Sequence, residues 1–216
     1  KSYQMQDCID SCGCGYSTQG AIKNLFGHLD RFAMELDIVS KCCSDLLTSD
    51  PIPETSKEIF TDEEVSRLWE NEKLEWVDSV LFFLYTGFRI TEKIAMTGGT
   101  KTAAGKNRIV PIHSKIQHIV QKRVEQSKSG YLFEYNGKKL NQTQYRALWA
   151  EIMGKLKMQH TPHECRHTFR SRLDSAGANK VCIDRIMGHK SKGTGERVYT
   201  HKNIEELKLN IELITN

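Results

Sequence analysis

The stretch "TPHECRHTFRSRL" holds His163 and Arg166 three residues apart, so on a helix both side chains leave one face of the first turn. Unpaired backbone amides and the helix dipole favour an anion there, which makes a compact surface for a phosphate. The same residues spell HExxH as "HECRH", so a second chemistry is open: His163 and His167 at the four-residue spacing of zinc ligands, with Glu164 between them and Cys165 in reach. Three more candidates stand at the ends of elements, where reactive groups are commonly placed. Arg89 follows a buried helix, with Glu92 as an ion-pair partner on the same connection; Lys101 lies near a hairpin tip; His189 comes directly after a helix stop. Tyr199, in "HKSKGTGERVYTHKN", has only Val198 as an apolar neighbour. Its hydroxyl, not the burial of its ring, is the expected reason for its presence.

The elements that would position these groups are legible in part. Pro51 and Pro53 in "LTSDPIPETSKEIF" forbid a continuing helix, and divide the chain into a unit over residues 1–50, a linker over 51–57 and a larger unit over 58–216. In the first unit Ile22, Leu25, Phe26, Leu29, Phe32, Ala33 and Leu36 recur at helical spacing within residues 19–47. After the linker, Thr61 and Glu64 form a capping box, and "LEWVDSVLFFLYTGF" reads as a buried helix ended by Thr86 and Gly87. The period then changes. "MTGGTKTAAGKNRIVPI" predicts two strands joined by a turn near 104–106, with Lys101 close to its tip. Helices are predicted over 116–126, 142–156, from Pro162 to near Gly177, and over 180–187, the third with Thr161 and Glu164 as a second capping box. In the tail, Ile204, Leu207, Ile211 and Ile214 form one apolar stripe.

With 216 residues and a net charge of +4, the chain can bury a sizeable core and is only mildly basic. Charge is unevenly placed: seven lysines and arginines against Glu125 alone within 97–128, and eight acids against three bases within 54–75. A basic segment of that kind suits a phosphate-bearing partner. Neither a membrane-length apolar run nor a secretory leader is evident, so a cytoplasmic protein is expected. The odd, scattered set of seven cysteines fits reduced thiols, and the spacing of Cys8, Cys12 and Cys14 fits no two-knuckle zinc site.

Taken in order, "TGFRITE", "TKTAAGKNRIVPI", "HECRHTF", "IMGHK" and "ERVYTHK" resemble the catalytic domain of the tyrosine recombinases, or phage-type integrases, over about 61–211. The tail looks closest to integrases of conjugative transposons, and the first unit resembles the second half of the family's helical core-binding domain. The resemblance implies a mainly α fold with a small antiparallel sheet, a core-binding domain followed by the catalytic domain, and site-specific cleavage and rejoining of double-stranded DNA to integrate and excise a mobile element. It implies that Arg89 and Arg166 grip the scissile phosphate, that His163 and His189 bond it, that Lys101 protonates the leaving 5′ oxygen, that Glu92 supports the site and that Tyr199 is the nucleophile. Lys106, Arg108, Lys190, Lys192 and Arg197 are expected to contact DNA. Neither metal nor other cofactor is implied, because the phosphotyrosyl bond conserves the phosphodiester energy. Homo-oligomers joined by the C-terminal helix and accessory DNA-bending or excision proteins are the implied partners. Two departures stand out: only "KIAMTGG" separates Glu92 from the hairpin, and ten positions, not nine, separate His189 from Tyr199. A type IB topoisomerase-like enzyme, a metal hydrolase using His163, Glu164 and His167, and a non-catalytic DNA-binding protein are the competing readings.

Overall fold

In the computed structural model, residues 1–53, 58–90, 97–98, 108–189 and 203–215 are described. The chain divides into two compact units, Lys1–Ser56 and Lys57–Asn216.

The first unit contains α1 (Ser2–Asp10), α2 (Tyr16–Glu35) and a single 3₁₀ turn, Ser44–Leu46. Polar side chains tie these pieces together. The Asp30 carboxylate accepts from the Ser44 amide at 2.6 Å, Gln19 exchanges hydrogen bonds with Asp50, and Gln6 accepts from the Thr48 amide at 2.9 Å. The apolar stripe of α2 is only partly covered. Ile22, Phe26 and Ala33 are partly buried, whereas Leu25, Leu29, Phe32 and the C-cap Leu36 are at least half exposed.

The second unit is built around α4 (Val77–Thr86), whose ten residues are all buried. A helix apolar on every side must be surrounded. Its neighbours include α3 (Asp62–Glu70), α5 (Gln117–Gln126) and α7 (Pro162–Ser175), and α8 (Lys180–Met187) packs on α7. One core runs through all of these and α6 (Gln142–Leu156), from Phe60 to Ile214. The capping boxes at Thr61 and Thr161 form as their spacing predicts.

Strands are minor. β1 (Thr97–Gly98) and β2 (Arg108–Ile109) pair antiparallel with Thr97 opposite Ile109, so the predicted hairpin is present at its base; its tip lies outside the described residues. The second hairpin, β3 (Glu134–Tyr135) with β4 (Lys138–Lys139), is not among the elements predicted above. Its signal is the dipeptide Asn136-Gly137, with φ of 51° and 70°, the left-handed pair that closes a two-residue hairpin.

The C-terminal helix α9 (Ile204–Ile211) packs on its own unit. Leu207, Ile211 and Ile214 are buried, Ser114 donates to Glu212 from both its amide and its hydroxyl, and the buried His113 bonds the Ile214 carbonyl at 2.9 Å. The Lys115 amide donates to His113 Nδ1, so Nε2 carries the proton and donates to Ile214. The described helix is therefore seated in cis, whereas the family resemblance implies a seat on a neighbouring protomer.

Candidate active site

Arg166 is on the inward face of α7 and only 2% exposed. Its Nη1 donates to the Gly87 carbonyl at 2.5 Å and its Nη2 to the Met187 carbonyl. These oxygens are at the C-terminal ends of α4 and α8, where carbonyls lack helical partners and the dipole is negative, so one guanidinium satisfies both. Arg166 is thus buried, while His163, three residues earlier, is exposed. The two share a turn but not a depth.

Gly87 is required at this point. Its φ is 61°, and a Cβ there would come within 2.5 Å of the Phe169 ring on α7. That close approach sets the end of α4 against α7.

His189 follows the left-handed cap Gly188 (φ 66°), and its amide donates to the Asp184 carbonyl at 2.8 Å. The cap turns its ring back toward α7. Nε2 lies 3.1 Å from Arg166 Nη2, and Nδ1 lies 3.1 Å from Arg170 Nη1 and 3.7 Å from Asp184. Burial lowers the His189 pKa, Arg166 and Arg170 lower it further, Asp184 opposes them, and the charge of Arg89 adds to the lowering. Guanidiniums donate and do not accept, so these neighbours bias the His189 ring toward its neutral form. Arg166, Arg170 and Asp184 thus surround the His189 ring, and the charge of Arg89 acts on the same ring.

Arg170 and Asp184 were not singled out from the sequence. Arg170 is four residues after Arg166, so it shares that side of α7, which is the signal that could have found it.

Arg108 departs from the DNA-facing role expected of it. The pleat of β2 turns its side chain inward, 6% exposed, with the guanidinium carbon 4.7 Å above the Phe88 ring, while Ile109 faces out. Lys101, Glu92, Lys106, Lys190, Lys192, Arg197 and Tyr199 lie outside the described residues, as do residues 93–96 and Gly99 of the "KIAMTGG" segment and the two glycines before Tyr199.

The hydrolase pattern is taken apart by the same helix. The rings of His163 and His167 meet edge to face at 4.7 Å, but the Glu164 carboxylate turns away to the N-cap, accepting from the Thr161 hydroxyl at 2.8 Å and from His160 at 2.7 Å. In place of the side chain a metalloprotease motif requires as a base, Glu164 is a helix cap.

Residues 58–206 match the phage integrase family. The tyrosine recombinase XerD of Vibrio vulnificus is 27% identical over 87% of this chain and 69% of its own length, and XerA of Pyrococcus furiosus is 27% identical over 78% and 66%. Among solved structures, the Tn1549 transposon integrase in complex with circular intermediate DNA superposes with a TM-score of 0.71 at 22% identity, covering 98% of this chain and 85% of that one. The XerH recombinase in a post-cleavage complex with its DNA substrate superposes with a TM-score of 0.62 at 17% identity, over 97% and 68%. The chain belongs to the phage integrase family, whose members are the tyrosine recombinases of site-specific DNA cleavage and rejoining.

Proposed function

We propose that the chain recombines double-stranded DNA through a 3′-phosphotyrosyl intermediate formed by Tyr199, moving a mobile element in and out of its target. The observation that carries this reading is the meeting of Arg166, from α7, with His189, from the end of α8, where the charge of Arg89 acts on the same ring. In this mechanism Tyr199, its phenol proton lost to solvent, attacks phosphorus as the phenolate while the P–O5′ bond breaks, and Lys101 gives a proton to the leaving 5′ oxygen. The 5′ hydroxyl of a second strand then attacks phosphorus, returning its proton to Lys101, as the P–O bond to Tyr199 breaks and the released phenolate takes a proton from solvent. Arg89 and Arg166 offset charge on the non-bridging oxygens, His189 and His163 donate to them, and Glu92 supports Arg89. A phenol of ordinary pKa near 10 is ionised to on the order of one part in a thousand at pH 7, a deficit of about 4 kcal/mol that this cluster of cations offsets.

Lys106, Lys190, Lys192 and Arg197 are assigned to the DNA backbone in this reading, and sequence choice to base contacts and DNA shape. Copies of the chain assemble on DNA through α9 once it leaves its cis seat, with accessory DNA-bending proteins as further partners. A chromosomal substrate puts the enzyme in the bacterial cytoplasm; no helix among the described residues is long and apolar enough to cross a membrane.

The test is incubation with a nicked DNA carrying the recognition site, in EDTA, followed by SDS electrophoresis. A covalent adduct that forms without metal and vanishes in Tyr199→Phe is expected. An adduct that survives the substitution or needs a metal overturns the proposal. Strand exchange between two duplexes separates a recombinase from a topoisomerase-like enzyme, which rejoins only the strand it cut.

A further inference from the structure

His160, one residue before the N-cap of α7, is far from being a spectator of "HECRH". Its side chain is 5% exposed, and its ring stacks on Phe60 with centroids 3.9 Å apart. Its carbonyl accepts from the Trp149 indole at 2.5 Å. Nδ1 is 2.7 Å from Glu164 Oε2, and Nε2 is 2.9 Å from Glu64 Oε2. Both carboxylates are the third-residue members of capping boxes, Glu64 accepting from the Thr61 amide at the start of α3 and Glu164 from Thr161 at the start of α7. Two carboxylates accept and do not donate, so both ring nitrogens must carry protons. The two helix N-termini favour ionised carboxylates, which leaves the imidazolium as the bridge between them.

We propose that His160 is a positioning residue whose imidazolium clamps the first turn of α7, and with it His163, to the start of α3, so that its protonation state sets the competence of the recombination site. The proposal rests on the reading of the chain as a phosphotyrosyl-forming recombinase. The groups facing His160 are Glu64 from α3, Glu164 from α7 and Glu58 from the segment before α3. Arg67 of α3 acts on Glu64 and is itself bonded to the Leu156 carbonyl at the end of α6. Burial opposes charging of His160, but Glu64 and Glu164 outweigh it and raise its pKa above the ordinary value, while both carboxylates stay below theirs. Deprotonation would put one ring lone pair against a carboxylate and release one of the two helix starts.

Glu64→Gln and Glu164→Gln test this, because glutamine still completes a capping box but removes a charge from His160. The measurement is the rate of covalent adduct formation on nicked DNA, in EDTA, from pH 6 to 9, taken as the ratio of variant to unsubstituted enzyme so that ionisation of Tyr199 cancels. The ratio is expected near one at pH 6 and to fall by about tenfold toward pH 8, because the variant loses the proton of His160 at lower pH, with DNA affinity within about twofold. A ratio that does not change with pH overturns the clamp. Were the unsubstituted enzyme to form no adduct at any pH, the functional reading would fail, and ¹⁵N NMR of the His160 ring would still judge the clamp: two bound protons at pH 6.5 and a His163 amide shift that follows the His160 titration support it, and a singly protonated ring or an unmoved His163 overturns it.

Discussion

Two histidines in this protein sit in opposite surroundings, and each one's charge follows from its neighbours. His160 lies between two carboxylates, which favour its cation, while His189 lies between two guanidiniums, which favour its neutral form. Replacing Arg170 with alanine removes one of those guanidiniums, so the His189 titration should move up toward its ordinary value, readable by NMR of its ring protons. Arg166 is harder to replace. A lysine there keeps the charge but cannot donate to Gly87 and Met187 while also facing His189. Arg166→Lys should slow adduct formation at least about 100-fold, the usual effect of losing one donor to a developing oxyanion, and the SDS-resistant band measures it.

At the scale of elements, the site exists because helix ends meet. Arg166 of α7 joins the C-terminal ends of α4 and α8 into a single junction. Gly87 allows it, so Gly87→Ala should destabilise the protein by about 2–5 kcal/mol, combining left-handed strain with overlap on Phe169, as measured by urea unfolding. The cis seat of α9 has its own consequence. Truncation after Lys202 removes three buried side chains, Leu207, Ile211 and Ile214, each worth about 1.5–3 kcal/mol when fully buried. The melting temperature of the DNA-free protein should therefore drop markedly, whereas a helix that docks only on a neighbour would leave it unchanged.

For the whole molecule, pH acts through groups whose signs differ. His160 has a folded pKa above its unfolded value, so its contribution is complete below pH about 6.5 and is lost as pH rises through the folded value. Glu64 and Glu164 are lowered, so theirs is complete above the ordinary carboxylate range and is lost on acidification. The stability deficit of His160→Gln in urea melts should consequently be about 1.5–3 kcal/mol near pH 6 and shrink as pH rises, the range for hydrogen bonds to charged groups. How much of this was legible in the chain differs from one residue to the next. Local signals determined the capping boxes at Thr61 and Thr161, the stops at Gly87 and Gly188, the base of the first hairpin and the family itself, because each depends on residues a few positions apart whose backbone requirements are fixed by type. The Asn136-Gly137 hairpin belongs with them, although its signal went unread. Depth and partnership were decided only by the tertiary structure. Nothing near Arg166 in sequence says that its charge is used by carbonyls 79 and 21 residues away, nothing near Arg108 says that it lies over Phe88, and the apolar stripe of α9 reads the same whether its seat is in cis or in trans. Spacing fixes which side chains share a face of a helix. What that face meets depends on contacts distant along the chain, and those form only when the core closes.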